Sequence, residues 1–171
     1  MISKKMENAI NNQIMEEFSS AYIYLSMSAW CESANLKGFA EWFRMQVEEE
    51  NMHAYKLYDY LLERGGNVVL QAIPQPDSKF DSIQDIFEKT LAHEQFITGK
   101  IGELNALAIA ENDFATQAHL QWFITEQVEE EATADDILNQ IKMVDCKPGS
   151  VFYIDQNIVA ARQKEAASDA E

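Results

Sequence analysis

Glu50 and His53 stand three residues apart in a stretch rich in helix formers, so a carboxylate and an imidazole share one helical face. Glu17 precedes Glu50 by 33 residues, and Glu94 precedes Gln127 by the same 33. A shift of 77 residues carries Glu17 onto Glu94, Glu49 onto Glu126, Glu50 onto Gln127 and His53 onto Glu130. A carboxylate on one helix, then a carboxylate with an i+3 partner on the next, stated twice, is how a four-helix bundle builds a two-metal centre in its core. Carboxylate oxygens with one imidazole suit iron or manganese, with zinc as a competitor.

The acids sit where apolar side chains belong. Glu17 is flanked at helical spacing by Ile10, Ile14, Ala21 and Tyr24, and Glu50 by Phe43, Val47, Ala54 and Leu57. Glu94 is flanked by Phe87, Leu91, Thr98 and Ile101, while Gln127 and Glu130 share a face with Leu120, Phe123, Ile124 and Ala134. An unpaired buried carboxylate costs several kcal/mol. Four or five would exceed the roughly 5–15 kcal/mol that keeps a domain folded. Arg and Lys are missing from these stripes, so shared protons or divalent cations must compensate. Glu48–Glu50 and Glu129–Glu131 are acidic runs of the kind that usually form a solvated face. Glu49, Glu126 and Glu129 among them could add a third metal position, with Glu130 turning toward either side.

Five helices must hold these groups. The spacing predicts them over about residues 4–33, 38–64, 82–110, 114–143 and 150–164, in one domain spanning 1–171. The first carries the stripe Met6, Ile10, Ile14, Ala21, Tyr24 and Leu25. Ser82 or Asp81 caps the third, with Asp85 closing a capping box. Gly99 and Gly102 inside it suggest close helix approach. Lys147-Pro148-Gly149 ends the fourth, and the tail from Ala166 is expected to fray. The first and third breaks are only a few residues long, so each flanking pair is an antiparallel hairpin. The second connection, about 66–81, carries Pro74 and Pro76. Its length in extended form, roughly 50 Å, matches a helix of about 40 Å. It can therefore cross the bundle and set the second and third helices parallel.

Composition narrows the function. The 171 residues carry a net charge of −16, which disfavours nucleic acid and anionic membranes as partners and favours cations. Cys31 and Cys146 form no C-x-x-C pair, so neither a disulfide framework nor a zinc ribbon is expected. No run approaches 18 apolar residues, and the N-terminus lacks the apolar core of a signal peptide, which makes the cytoplasm the expected address. Glu111, Asp113 and His119, near the third break, are candidates for an entry pore, with a solvated turn the more ordinary reading.

Glu17, Glu50-x-x-His53, Glu94 and Gln127-x-x-Glu130, with the long crossover and short last helix, resemble the bacterial non-haem ferritins over nearly the whole chain. The resemblance implies an all-α, ferritin-like bundle. It implies that Glu17, Glu50 and His53 hold a first iron, that Glu50 bridges, and that Glu94 and Glu130 hold a second, with Gln127 nearby. It places Tyr24 beside the centre and a third iron at Glu49, Glu126 and Glu129, with Glu130 shared. It further implies ferroxidase activity with oxygen or peroxide and a hollow homo-oligomer of 24 subunits storing ferric mineral. Haem-containing bacterioferritins resemble the chain less. They repeat Glu-x-x-His in both halves, and the position of their haem-ligating methionine is Asn51 here. No haem is therefore expected. Two other readings stay open on the residues alone: a di-iron oxidoreductase acting on an organic substrate or peroxide, and a non-catalytic acidic scaffold.

Overall fold

The computed structural model describes residues 2–145 and 147–168, with side chains as far as residue 160. Cys146 lies outside the described residues, as does the end of the tail, 169–171. Five helices follow one another: α1 (Lys4–Ser33), α2 (Lys37–Glu63), α3 (Ile83–Ala110), α4 (Phe114–Met143) and α5 (Pro148–Ser168). No strand occurs among the described residues.

The helix ends follow local chemistry. Ser3, Ser82 and Asp113 cap α1, α3 and α4, their side chains accepting from the amides of Met6, Asp85 and Thr116. Asp85 reaches back to the Asp81 amide at 3.2 Å. α1 to α4 each end two residues before a left-handed residue, namely Asn35, Gly65, Asn112 and Asp145, with φ between 52° and 73°. α2 starts differently. Leu36 offers no capping side chain. Instead, Asp155 of α5 accepts from the Phe39 amide at 2.9 Å. A Cβ at Gly38 would overlap the Asp155 carbonyl oxygen, so this is where a missing side chain permits close approach.

Four expectations change. Gly99 and Gly102 have nothing within 4 Å of a would-be Cβ, because both face away from the bundle. Leu25 is 41% exposed, one helical step off the buried line through Ala21, Tyr24 and Ser28. Pro148-Gly149 does not close α4 but opens α5, since a proline at the first helical position gives up only an amide that has no partner there. Ala166 to Ser168 continue that helix rather than fray, alanine being the strongest helix former.

The crossover runs alongside α1. Asn11 brackets its start, donating to the Asn67 carbonyl at 2.9 Å and accepting from the Val69 amide at 2.7 Å. Further along, Gln71 bonds Asn12 and Ser26 bonds the Asp77 carbonyl. The contacts climb α1 from residue 11 to residue 26, so α3 begins at the end where α2 began, and the two are parallel.

The core is two apolar clusters. One holds Tyr24, Met27, Phe39, Trp42, Phe43, Ile86, Phe87, Leu138 and Ile141. The other holds Met6, Ile10, Ile14, Leu57, Leu61, Ile97, Ile101, Leu120 and Phe123. On every bundle helix the gap between them is filled by polar groups: Glu17 on α1, Glu50 and His53 on α2, Glu94 on α3, and Gln127 and Glu130 on α4.

Candidate metal centre

All six of these residues are buried, none more than 6% exposed. Ligand atoms of Glu17, Glu50 and His53 lie within 4.8 Å of one another. His53 Nδ1 is 3.4 Å from Glu50 Oε2, and the ring meets Trp122 and Phe123 edge-on. Glu17 Oε1 accepts from Gln13 Nε2 at 2.9 Å. Glu17 Oε2, Glu50 Oε2 and His53 Nε2 are buried with no hydrogen-bond partner. Orphaned polar atoms in a core carry a penalty that a cation would remove.

The other half is held by hydrogen bonds. Glu94 accepts from the Tyr24 hydroxyl and from Gln127 Nε2, the latter at 3.1 Å. Glu130 Oε2 accepts from Gln46 Nε2 at 3.0 Å. Among the described residues, neither Glu94 nor Glu130 joins a close ligand cluster. A second cluster does form beside the first, from Glu49, His53 and Glu126. Glu129 is exposed and stands outside that cluster. It is close enough for its charge to act on Glu126.

The electrostatics describe a site short of positive charge. Burial, then the charge of Glu50, lifts the Glu17 carboxyl well above its ordinary range. Burial raises Glu94 to about 7, with the Gln127 hydrogen bond opposing and Glu131 adding. Burial likewise raises Glu126, helped by Glu129. Burial pushes the His53 imidazole down, but Glu50, Glu49 and Glu126 together hold it above its usual value. Raised carboxyls of this kind favour binding of a divalent ion, which would displace their protons. Four carboxylates and one imidazole, with no thiolate, make a donor set suited to iron.

Four supporting residues escape a sequence reading focused on ligands. Gln13 and Gln46 precede Glu17 and Glu50 by four residues, and so repeat the 33-residue spacing themselves, which was the available signal. Thr98 donates to Glu131, whose charge acts on Glu94. His93 meets Ser20 Oγ at 2.8 Å and the edge of Tyr24. The inlet candidates are committed elsewhere. Asp113 caps α4 and takes a two-pronged hydrogen bond from Arg64 at 3.0 and 3.1 Å. His119 stacks on Tyr60, and Glu111 accepts from Ser3.

Comparison with known proteins agrees with this geometry. The ferritin family model, a ferritin-like domain, matches residues 7–144. A bacterial non-heme ferritin of Campylobacter jejuni is 40% identical over 167 residues, covering 96% of this chain and all of the relative. One from Staphylococcus saprophyticus is 39% identical, covering 95% and 96%. The open pore ferritin of Archaeoglobus fulgidus superposes with a TM-score of 0.91 at 44% identity, covering 92% of this chain and 97% of that one. Fold, buried carboxylates and these likenesses converge: the chain belongs to the ferritin family and is similar to its bacterial non-haem members over nearly all its length.

Proposed function

We propose that this protein stores iron, taking up ferrous ions, oxidising them at a two-metal centre in each subunit, and keeping the ferric product inside a shell built from its own copies. The observation that carries this reading is the trio Glu17, Glu50 and His53, gathered in a dry core with one unpartnered donor atom each. Glu50 lies between Glu17 and His53 and is the natural bridge to a second iron bound by Glu94 and Glu130, with Gln127 and Tyr24 orienting Glu94. Iron is the substrate as well as the redox agent. Two ferrous ions give up two electrons, which with two protons reduce dioxygen to hydrogen peroxide, or peroxide to water. The protein's share is binding, spacing and exclusion of water.

A third iron fits Glu49, His53 and Glu126 better than the trio of glutamates expected from the resemblance, because Glu129 lies outside the close group. Likeness to the ferritin family supports a homo-oligomer, which we take to have 24 subunits, and a cytoplasmic setting. No helix is long and apolar enough to cross a membrane among the described residues. The haem-free reading rests on Asn51, whose side chain donates to the Val47 carbonyl. The oxidoreductase alternative needs an organic substrate beside the carboxylates. A cavity of about 320 Å³ between α4 and α5 is lined by Trp42, Ile137, Tyr153 and Ile158, and another of about 440 Å³ by Ala9, Gln13, Glu16 and Leu104; none of the six centre residues lines either.

Light scattering with absorbance on aerobic ferrous addition tests the proposal. A large, defined particle and fast ferric growth saturating at two irons per subunit are expected. A monomer, or oxidation no faster than in buffer, would overturn it.

A further inference from the structure

We propose that Gln13 and Gln46 are positioning residues of the metal centre, each fixing one oxygen of a metal-binding carboxylate through a neutral amide. The inference rests on the two-metal reading above and concerns residues that reading does not use.

Gln13 is 3% exposed and Gln46 1% exposed, a costly place for an amide unless it has a task. Gln13 Nε2 donates to Glu17 Oε1 at 2.9 Å, one turn away on the same helix. Glu17 Oε2 stays free of any partner, so the amide determines which oxygen faces Glu50 and His53. Gln46 acts across helices. It sits one turn before Glu50 on α2 but donates to Glu130 Oε2 of α4 at 3.0 Å, tying the two halves of the centre together. Gln127 treats Glu94 in the same way. Three of the four centre carboxylates thus each take a glutamine amide, while Glu50 meets Glu17 and His53.

The choice of amide has a physical reason. A lysine or arginine would hold these carboxylates more strongly but would neutralise them and repel the incoming cation. A hydroxyl donates through a freely rotating bond. An amide is planar and uncharged, so it orients an oxygen and leaves its negative charge for the metal. Outer partners of this kind typically govern metal affinity by roughly 10- to 100-fold.

The test uses the full-length assembled protein and cobalt(II), added without oxygen and followed by its visible spectrum. Wild type should take at least two cobalt ions per subunit; if it takes fewer, the two-metal reading itself fails. Given two sites, Gln13→Met should weaken one and Gln46→Met the other by roughly 10-fold or more, each altering the spectrum at saturation. The melting temperature of the metal-free protein should move little, which a purely structural role would not allow. Gln13→Asn and Gln46→Asn, which withdraw the amide by one methylene, should weaken binding in the same direction and serve if a methionine variant does not assemble. Wild-type affinity and spectrum in the assembled variants would overturn the proposal and leave the two-metal reading standing.

Discussion

Asp155 on α5 accepts the Phe39 amide of α2 at 2.9 Å, and so supplies from another helix the cap that Leu36 cannot. The bond needs Gly38, whose missing side chain lets the α5 backbone lie directly on the start of α2. Burial, and then Asp155, lift the Cys31 thiol beneath this contact to about 12, so it is inert packing there.

Gly38→Ala should therefore destabilise the protein by about 1–3 kcal/mol, and Asp155→Ala by about 0.5–2 kcal/mol. Both should speed proteolysis in the link between α4 and α5, while the bundle of α1 to α4 keeps its helical signal. Deleting residues 149–171 should likewise leave the bundle and weaken the assembly. Wild-type melting and cleavage rates in both point variants would mean that α5 is held by other contacts.

Glu50→Ala combined with His53→Ala should abolish fast ferrous oxidation and spare the fold. The pair removes the central carboxylate and the imidazole together, so no charge is left buried opposite a missing partner. Stopped-flow absorbance on mixing with ferrous iron and oxygen reads the rate. An unchanged initial phase would remove these residues from the centre.

The third position can be tested residue by residue. Glu49→Ala with Glu126→Ala should spare the first two irons but change the iron-to-oxygen ratio and slow repeat turnover. Glu129→Ala should do much less, because Glu129 is outside the group that Glu49, His53 and Glu126 form. Anomalous diffraction from crystals soaked in ferrous iron locates the metal directly. Two peaks at saturating iron, with none near Glu126, would leave these acids as a solvated face.

Acid should loosen the far end of the bundle. Burial pushes the Asp113 carboxyl up, but hydrogen bonds from Arg64 and Thr116 pull it further down, to a net value below its ordinary range. A lowered carboxyl contributes stability above its unfolded pKa of about 3.9 and loses it as pH falls through the folded value. Asp113→Asn keeps a capping side chain but not the charge. It should lower the melting temperature at pH 7, an effect on the order of 1 kcal/mol for a pair on the surface. The gap to wild type should begin to narrow below about pH 4 and close as the pH falls through the lower folded value, where the wild-type carboxylate takes up its proton. A gap independent of pH would assign the contact to packing.

The bundle was legible because its signals are local. Period 3.6 placed α1 and α4 to the residue, and Ser82 with Asp85 announced the start of α3. The buried acids were legible because 33- and 77-residue shifts placed each in the middle of an apolar stripe. What was hidden depends on residues distant in sequence. Asp155 and Phe39 are 116 positions apart, and nothing local distinguishes Asp155 from a solvated acid on a helix. The same blindness credited Gly99 and Gly102 with a close approach that belongs to Gly38, since a glycine does not say which neighbour faces it. Gln13 and Gln46 looked like ordinary polar positions, because an amide's value lies in the carboxylate it meets.

The division of the core has a mechanical meaning. Two oily blocks, one around Phe43 and Phe87 and the other around Ile10 and Leu57, are separated by a single ionisable layer. Each block is held by contacts of its own, while the layer between them is joined by hydrogen bonds among its amides and carboxylates. Metal bound there would tie the blocks into one cooperative unit, and without it the layer would be a seam across every bundle helix. Amide hydrogen exchange in the metal-free protein should be fastest along that seam, beside Glu17, Glu50, Glu94 and Gln127, so each subunit would stiffen as it loads its cargo.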